Sequence, residues 1–199
     1  NRDDLIVSSP YASEEEKQWN GQIDLILSEE SNNKEIISIV GDEPGDQLGT
    51  SLAVGDFNGD GIDDLAIGAH NASFNERRSG KVYIINGDLD LSSQMGRQAP
   101  SQNYRQVGIS ASEQVNGERT GDSFGMSIAS FDINKDDIQD LIIGAPHAST
   151  PNIDKVGAVY IYHGSTSGLA NSPNDSVYGY VEDERFGSKV GAGYITSIE

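Results

Sequence analysis

The chain is a repeat of itself. Residues 49–69 read "GTSLAVGDFNGDGIDDLAIGA" and residues 125–145 read "GMSIASFDINKDDIQDLIIGA", an offset of 76 residues. Across that offset Asp56 falls on Asp132, Asn58 on Asn134, Asp60 on Asp136, Asp64 on Asp140 and Gly68 on Gly144. The match resumes at "GKVYIING" from Gly80 and "GAVYIYHG" from Gly157. Partial copies flank the two: "DDLIVSS" at residues 3–9 with "GQIDLIL" from Gly21, and "RFGSKVGAG" from Arg185. A unit of this length cannot bury its apolar face alone, so a chain with this period folds by stacking one unit on the next.

Each unit reads as four strands. "TSLAVGD" alternates small and apolar residues, "DLAIGA" and "DLIIGAP" are short apolar runs, and "KVYIIN" and "AVYIYH" are β-branched and aromatic. A weaker fourth strand is expected at "EIISIV", "RQVGIS" and "VYGYVE". Gly, Asn and Asp clusters separate the runs, and no stretch keeps a 3.6-residue period, so almost no helix is expected. The polar stretch from Asp88 to Arg105 reads as a surface insertion. The pattern predicts an all-β fold of four-stranded antiparallel units, stacked as the blades of a propeller or as a solenoid. The units fall at 1–40 (partial repeat), 41–112 (full), 113–180 (full) and 181–199 (partial). That is about three blades' worth: second to fourth strands, two full blades, then one first strand. Closed propellers usually take four to eight blades, so the expectation is a segment of a larger ring, completed by further blades or by a second copy.

Composition narrows the partners. The formal net charge is −19, from 13 Lys and Arg against 32 Asp and Glu. Phosphate backbones demand basic patches, so a nucleic-acid partner is excluded and a cation is favoured. There is no cysteine, hence no disulfide framework. There is no 18-residue apolar run for a transmembrane helix and no signal-peptide pattern.

The acid is concentrated in the repeated loops. With Asp56 as position 1, Asn58 is 3, Asp60 is 5, Ile62 is 7 and Asp64 is 9; the second copy places Asp132, Asn134, Asp136, Ile138 and Asp140 the same way. Calcium takes six to eight hard oxygen ligands, and a tight loop supplies them from alternate positions. Short side chains at 1, 3, 5 and 9 are the expected ligands. Position 7 offers its backbone carbonyl, so Ile62 and Ile138 can be apolar there. Gly61, or Asp137 in the second copy, allows the sharp turn at position 6. Position 12 is Ile67 or Ile143, inside a strand, so this is not an EF-hand. Two Ca²⁺ sites are expected, each in the loop between the first and second strands of a blade. Asp4 matches position 9 of a third loop without its earlier members, and no site is assigned to it.

"FG" at Phe124-Gly125 and "GAP" at Gly144-Ala145-Pro146, with an aspartate loop between them, resemble the FG-GAP repeat. The first copy departs from it with Leu48 for the Phe and His70 for the Pro. The resemblance implies the seven-bladed β-propeller of integrin α subunits and of related bacterial surface proteins. It also implies an extracellular or cell-surface, calcium-stabilised module that binds a protein, cell-surface or matrix ligand. The alternative is a non-catalytic propeller within a secreted enzyme such as a phospholipase or a polysaccharide-degrading enzyme.

No enzyme constellation is expected. "GDSFG" at residues 121–125 matches the G-x-S-x-G elbow, but the elbow needs a strand-to-helix turn and Gln47 stands where Ser123 does in the other copy. His70, His147 and His163 occupy non-equivalent repeat positions and read as surface histidines. The loops between second and third strands differ between copies ("PYASEEEKQWN", "HNASFNERRS", "PHASTPNIDK"), and variable loops on a rigid scaffold are where recognition sits. Trp19, Phe74, Arg77 and Arg78 are the expected ligand contacts, because exposed aromatics and arginine dominate binding hot spots.

Overall fold

The structure, a computed structural model, describes residues 4–13, 17–28, 34–73, 78–89, 97–98, 104–108 and 113–194. Among the described residues it contains thirteen strands and no helix. They are β1 (Leu5–Ser9), β2 (Gln22–Ser28), β3 (Lys34–Val40), β4 (Ser51–Gly55), β5 (Asp64–Ala69), β6 (Lys81–Ile85), β7 (Arg97–Gln98), β8 (Tyr104–Gly108), β9 (Glu113–Asn116), β10 (Ser127–Phe131), β11 (Asp140–Ala145), β12 (Ala158–Tyr162) and β13 (Asp175–Tyr178). Three sheets form: β1-β2-β3-β8-β7, β4-β5-β6-β9 and β10-β11-β12-β13. These are propeller blades, about three of them. The second and third are antiparallel throughout.

The middle blade is buried on both faces, because alternate residues point to opposite sides of a sheet. All six residues of β5 are buried. Leu65, Ile67 and Ala69 join Ile23, Ile37, Ile39 and Leu48 in the core against the first blade. Ala66 joins Leu141, Ile143 and Tyr160 in the core against the third. In β6, Tyr83 and Ile85 face the first core while Val82 and Ile84 face the second. The Phe of the "FG" pair lies in that second core: Phe124 is 2% exposed, with ring centroids 5.6 Å from Tyr160 and 6.3 Å from Tyr162.

The glycines of the repeat mark where one blade meets the next. A Cβ on Gly68 would lie 2.3 Å from the Gly125 carbonyl oxygen, and one on Gly144 would lie 2.0 Å from that of Gly187. The "G" of each "GA" dipeptide therefore accepts the backbone of the following unit's "FG" pair, and no side chain fits there.

Two expectations from the sequence need correction. The fourth strand expected at "RQVGIS" is not in its own blade. β8 pairs in parallel with β3 of the preceding blade, Ile36 opposite Tyr104, and β7 extends that edge through Arg97 and Gln98. The stretch read as a surface insertion thus supplies strand structure to its neighbour. The fourth strand of the middle blade is β9, which pairs with β6 and begins just past the repeat boundary expected at 112. The first strand expected after Phe186 is also absent among the described residues. Among the described residues that segment forms a bridge, between Gly157 and Phe186.

Candidate functional site

The two aspartate loops, 56–64 and 132–140, connect β4 to β5 and β10 to β11 at the same end of their blades. Their backbones are congruent. Positions 4 and 6 are left-handed in both: φ is 72° at Gly59 and 85° at Gly61, 65° at Lys135 and 69° at Asp137. Asp137 thus takes the conformation that the sequence assigns to position 6, while the left-handed Lys135 carries no sequence signal.

The backbone amides accepted at positions 1, 3 and 5 are the same in both loops, although Asn58 Nδ2 donates to Asp64 and Asn134 Nδ2 to Asp136. Asp56 Oδ1 accepts the N–H of Gly59 (2.6 Å) and of Asp60 (3.2 Å), and its Oδ2 accepts that of Gly61 (2.8 Å). Asp132 accepts from Lys135 (2.7 Å), Asp136 (3.1 Å) and Asp137 (3.0 Å) in the same way. Asn58 Oδ1 accepts from Asp60 at 2.9 Å, and Asn134 Oδ1 from Asp136 at 3.0 Å. Asp60 Oδ1 accepts from Ile62 at 2.8 Å, and Asp136 Oδ1 from Ile138 at 3.0 Å.

Position 9 anchors each loop in the blade. Asp64 is 1% exposed and Asp140 fully buried. Asp64 accepts from Phe57 (3.0 Å) and Gly87 (3.0 Å), and Asp140 from Ile133 (2.8 Å) and Gly164 (3.1 Å). Burial raises the Asp64 carboxyl above the ordinary range; the amides of Gly87 and Phe57 oppose this, and the charges of Asp60 and Asp56 add to it. Asp136 is held below its ordinary value, first by the Ile138 amide and then by the Asn134 side chain.

The carboxylates are turned onto these amides. Among the described residues, no three His, Cys, Asp or Glu side chains converge as a metal-holding group. The donor set still fits a hard cation. A carboxylate oxygen has two lone pairs, and one amide bond leaves the other free. Asp56 Oδ2, Asp60 Oδ1, Asp132 Oδ2 and Asp136 Oδ1 are such oxygens. Ile62, at position 7, is 47% exposed.

At the other end of the blades lie the loops between second and third strands. Trp19 and Arg78 occupy equivalent places there, together with Lys155: φ is 55°, 56° and 47°. Each amide donates to a serine hydroxyl, Ser13 (3.0 Å), Ser73 (3.3 Å) and Ser149 (2.9 Å). Trp19 is 56% exposed and Arg78 is exposed. Phe74 and Arg77 lie outside the described residues.

The histidines expected on the surface are not all there. His70 and His147 are half-buried. Thr50 Oγ1 stands 2.9 Å from His70 Nδ1, and Ser123 Oγ 3.0 Å from His147 Nδ1. Ser123, in "GDSFG", has φ 56°, as do Gln47 and Arg185 at the same repeat position, so its turn belongs to the repeat.

The FG-GAP repeat family model matches residues 48–85 and 124–162, which hold the two aspartate loops. Over 141 residues, 66% of this chain, the sequence is 34% identical to phosphatidylinositol-glycan-specific phospholipase D of Rattus norvegicus. It is 34% identical over 163 residues, 77% of this chain, to integrin alpha-3 of Cricetulus griseus. Against integrin alpha-4 of Xenopus laevis it is 28% identical over 182 residues, 88% of this chain. The matches span 15%, 13% and 15% of those proteins.

Proposed function

We propose that this FG-GAP repeat chain is a calcium-binding propeller segment of an extracellular or cell-surface protein, and that it holds a protein, cell-surface or matrix ligand without catalysing a reaction itself. The observation that carries this reading is the congruence of the two loops, whose amide networks repeat at the 76-residue offset. Ordinary turns vary from copy to copy; these two keep the same five positions. Asp56, Asn58, Asp60, the Ile62 carbonyl and Asp64 would hold one Ca²⁺. Asp132, Asn134, Asp136, the Ile138 carbonyl and Asp140 would hold the other. Bound there, the ion supplies positive charge to a loop that otherwise crowds carboxylates, and its role is structural.

Calcium titration calorimetry and thermal melts test this. Two ions per chain are expected, with affinity in the broad ~10⁻⁶–10⁻³ M range. At a hundred times the dissociation constant each site adds about 2.7 kcal/mol, and magnesium adds much less. Superimposable melts in EDTA and in excess Ca²⁺ would sink the reading.

With calcium stiffening one end, recognition falls to the variable loops at the other. Alanine at Trp19 or Arg78 should weaken a natural partner by about 1–2 kcal/mol. A second reading, a non-catalytic propeller within a secreted enzyme, is favoured by the phospholipase D similarity. Sequencing the rest of the parent protein separates the two: a hydrolase domain supports the second, an anchor with further repeats the first.

A further inference from the structure

We propose that a groove at the variable-loop end is a carboxylate subsite, which takes one aspartate or glutamate side chain of a protein partner. It rests on reading this end as the recognition face. The groove, of about 540 Å³, lies where three connections meet: β9–β10, β11–β12 and the segment after β13. Each contributes a cation, namely Arg119, Lys155 and Arg185.

Their convergence is unusual for this chain, which has only 13 Lys and Arg against 32 acids. It is also held by the backbone. Arg119 Nη1 donates to the Ser149 carbonyl at 3.4 Å, and Ser149 Oγ accepts the Lys155 backbone N–H at 2.9 Å, so one serine ties the Arg119 guanidinium and the Lys155 backbone to the groove wall. Lys155 stands at the left-handed place that Trp19 and Arg78 fill in the other units. The backbone there repeats while the side chain changes, as expected of a position chosen for what it meets.

A fourth donor is available. His147 lines the groove, whereas Ser123 does not and stands behind it, 3.0 Å from Nδ1. Burial, then Arg185 and Lys155, lower the imidazole pKa below its ordinary value while Asp183 raises it, and the net shift favours the neutral ring. In the tautomer that accepts the serine hydroxyl at Nδ1, the ring hydrogen sits on Nε2 and can be donated to an anion.

The groove favours a single carboxylate over a polyanion. Asp122 and Asp154 are part of its lining, so three cations face two acids and only one net positive charge remains. A sulfated sugar chain needs a basic stripe along many ångströms, and the lining of this groove carries three cations in one cluster. One carboxylate between two guanidinium groups and an ammonium matches the fork geometry of arginine.

The test is an amide chemical-shift titration of the ¹⁵N-labelled protein, saturated with calcium, with three probes: a glycine-flanked aspartyl hexapeptide, its asparaginyl counterpart, and a heparin hexasaccharide. The aspartyl peptide should shift the Gly121 and Ser149 amides saturably and bind at least about tenfold more tightly than the asparaginyl one. Arg119→Gln with Lys155→Gln should abolish the response. Asp154→Asn should strengthen it, a change of direction that misfolding cannot mimic. Equal response to the two peptides, no saturable response, or a response that survives in the double variant would overturn the proposal. Heparin binding more tightly than the aspartyl peptide would overturn it in favour of a sulfated sugar. Calcium stoichiometry read on the same samples keeps these outcomes apart from failure of the calcium scaffold. Weakening of a natural partner by alanine at Trp19 or Arg78 tests the recognition face without the groove.

Discussion

The backbone N–H of Gln139 donates to the carbonyl oxygen of Asp56 at 2.9 Å. One residue opens the first aspartate loop and the other sits next to the end of the second, so the two loops touch across the blade junction. Phe57 O also accepts the Ser165 N–H at 3.2 Å, and Val54 O accepts the Ser130 hydroxyl at 2.6 Å. An ion that fixes one loop therefore fixes part of its neighbour's surroundings. We expect Asp60→Ala to remove one calcium and to weaken the other by about fivefold, at the low end of site-to-site coupling. Calcium calorimetry on the variant reads both numbers, and an unchanged second affinity would show the sites to be independent.

Lys135 takes φ 65° where the first loop has Gly59. A left-handed lysine costs about 1–2 kcal/mol relative to an unstrained backbone, part of which glycine gives back as unfolded-chain entropy. It also places a positive charge beside the second loop. Lys135→Gly is expected to raise stability in EDTA by roughly 0.5–1 kcal/mol and to tighten calcium binding at that loop. Urea melts and calorimetry check the two effects separately.

Gly68 is confined by contact alone. An added Cβ would lie 2.2 Å from Ser51 Oγ and 2.3 Å from the Gly125 carbonyl. Gly68→Ala should cost on the order of 3 kcal/mol by forcing two blades apart, measured by urea denaturation. Gly191, with nothing within 4 Å of its Cβ position, is the control, and Gly191→Ala should leave the midpoint unchanged.

Asp46 is 7% exposed, and burial pushes its carboxyl up to about 6 from the ordinary 3.8; Lys81 pulls the other way, and Glu43 and Asp42 push with the burial. The folded state then binds more protons than the unfolded one between about pH 4 and 6, so stability falls as pH rises through that window. Asp46→Asn should remove this slope. Its gain over the parent chain is absent at pH 4 and reaches on the order of 2 kcal/mol above pH 6, in melts run in EDTA so that calcium does not contribute.

The repeat made most of the blade order legible, because β5 and β11 are apolar runs bounded by glycine and aspartate. It failed where pairing is remote. Residues 104–108 carry a strand signal, but nothing local says that the partner is β3. β9 has one buried apolar residue, Val115, and is too short to stand out. In the loops the spacing carried the left-handed turn at position 6. It did not give the rotation of the carboxylates onto amides, which depends on backbone that the spacing does not encode. The His70 and His147 contacts were hidden because their hydroxyl partners, Thr50 and Ser123, are not equivalent in the repeat.

The parallel pairing of β3 with β8 joins Ile36 to Tyr104, and it sets an order of events in synthesis. The first sheet has an open edge when its own segment leaves the ribosome, and that edge stays unpaired until 68 further residues have followed. Contacts at such separation form late, after loop closure has been overcome. Through that interval the exposed edge of β3 can template another nascent chain. Slower translation across residues 41–104 is therefore expected to lengthen the interval in which that edge can be templated.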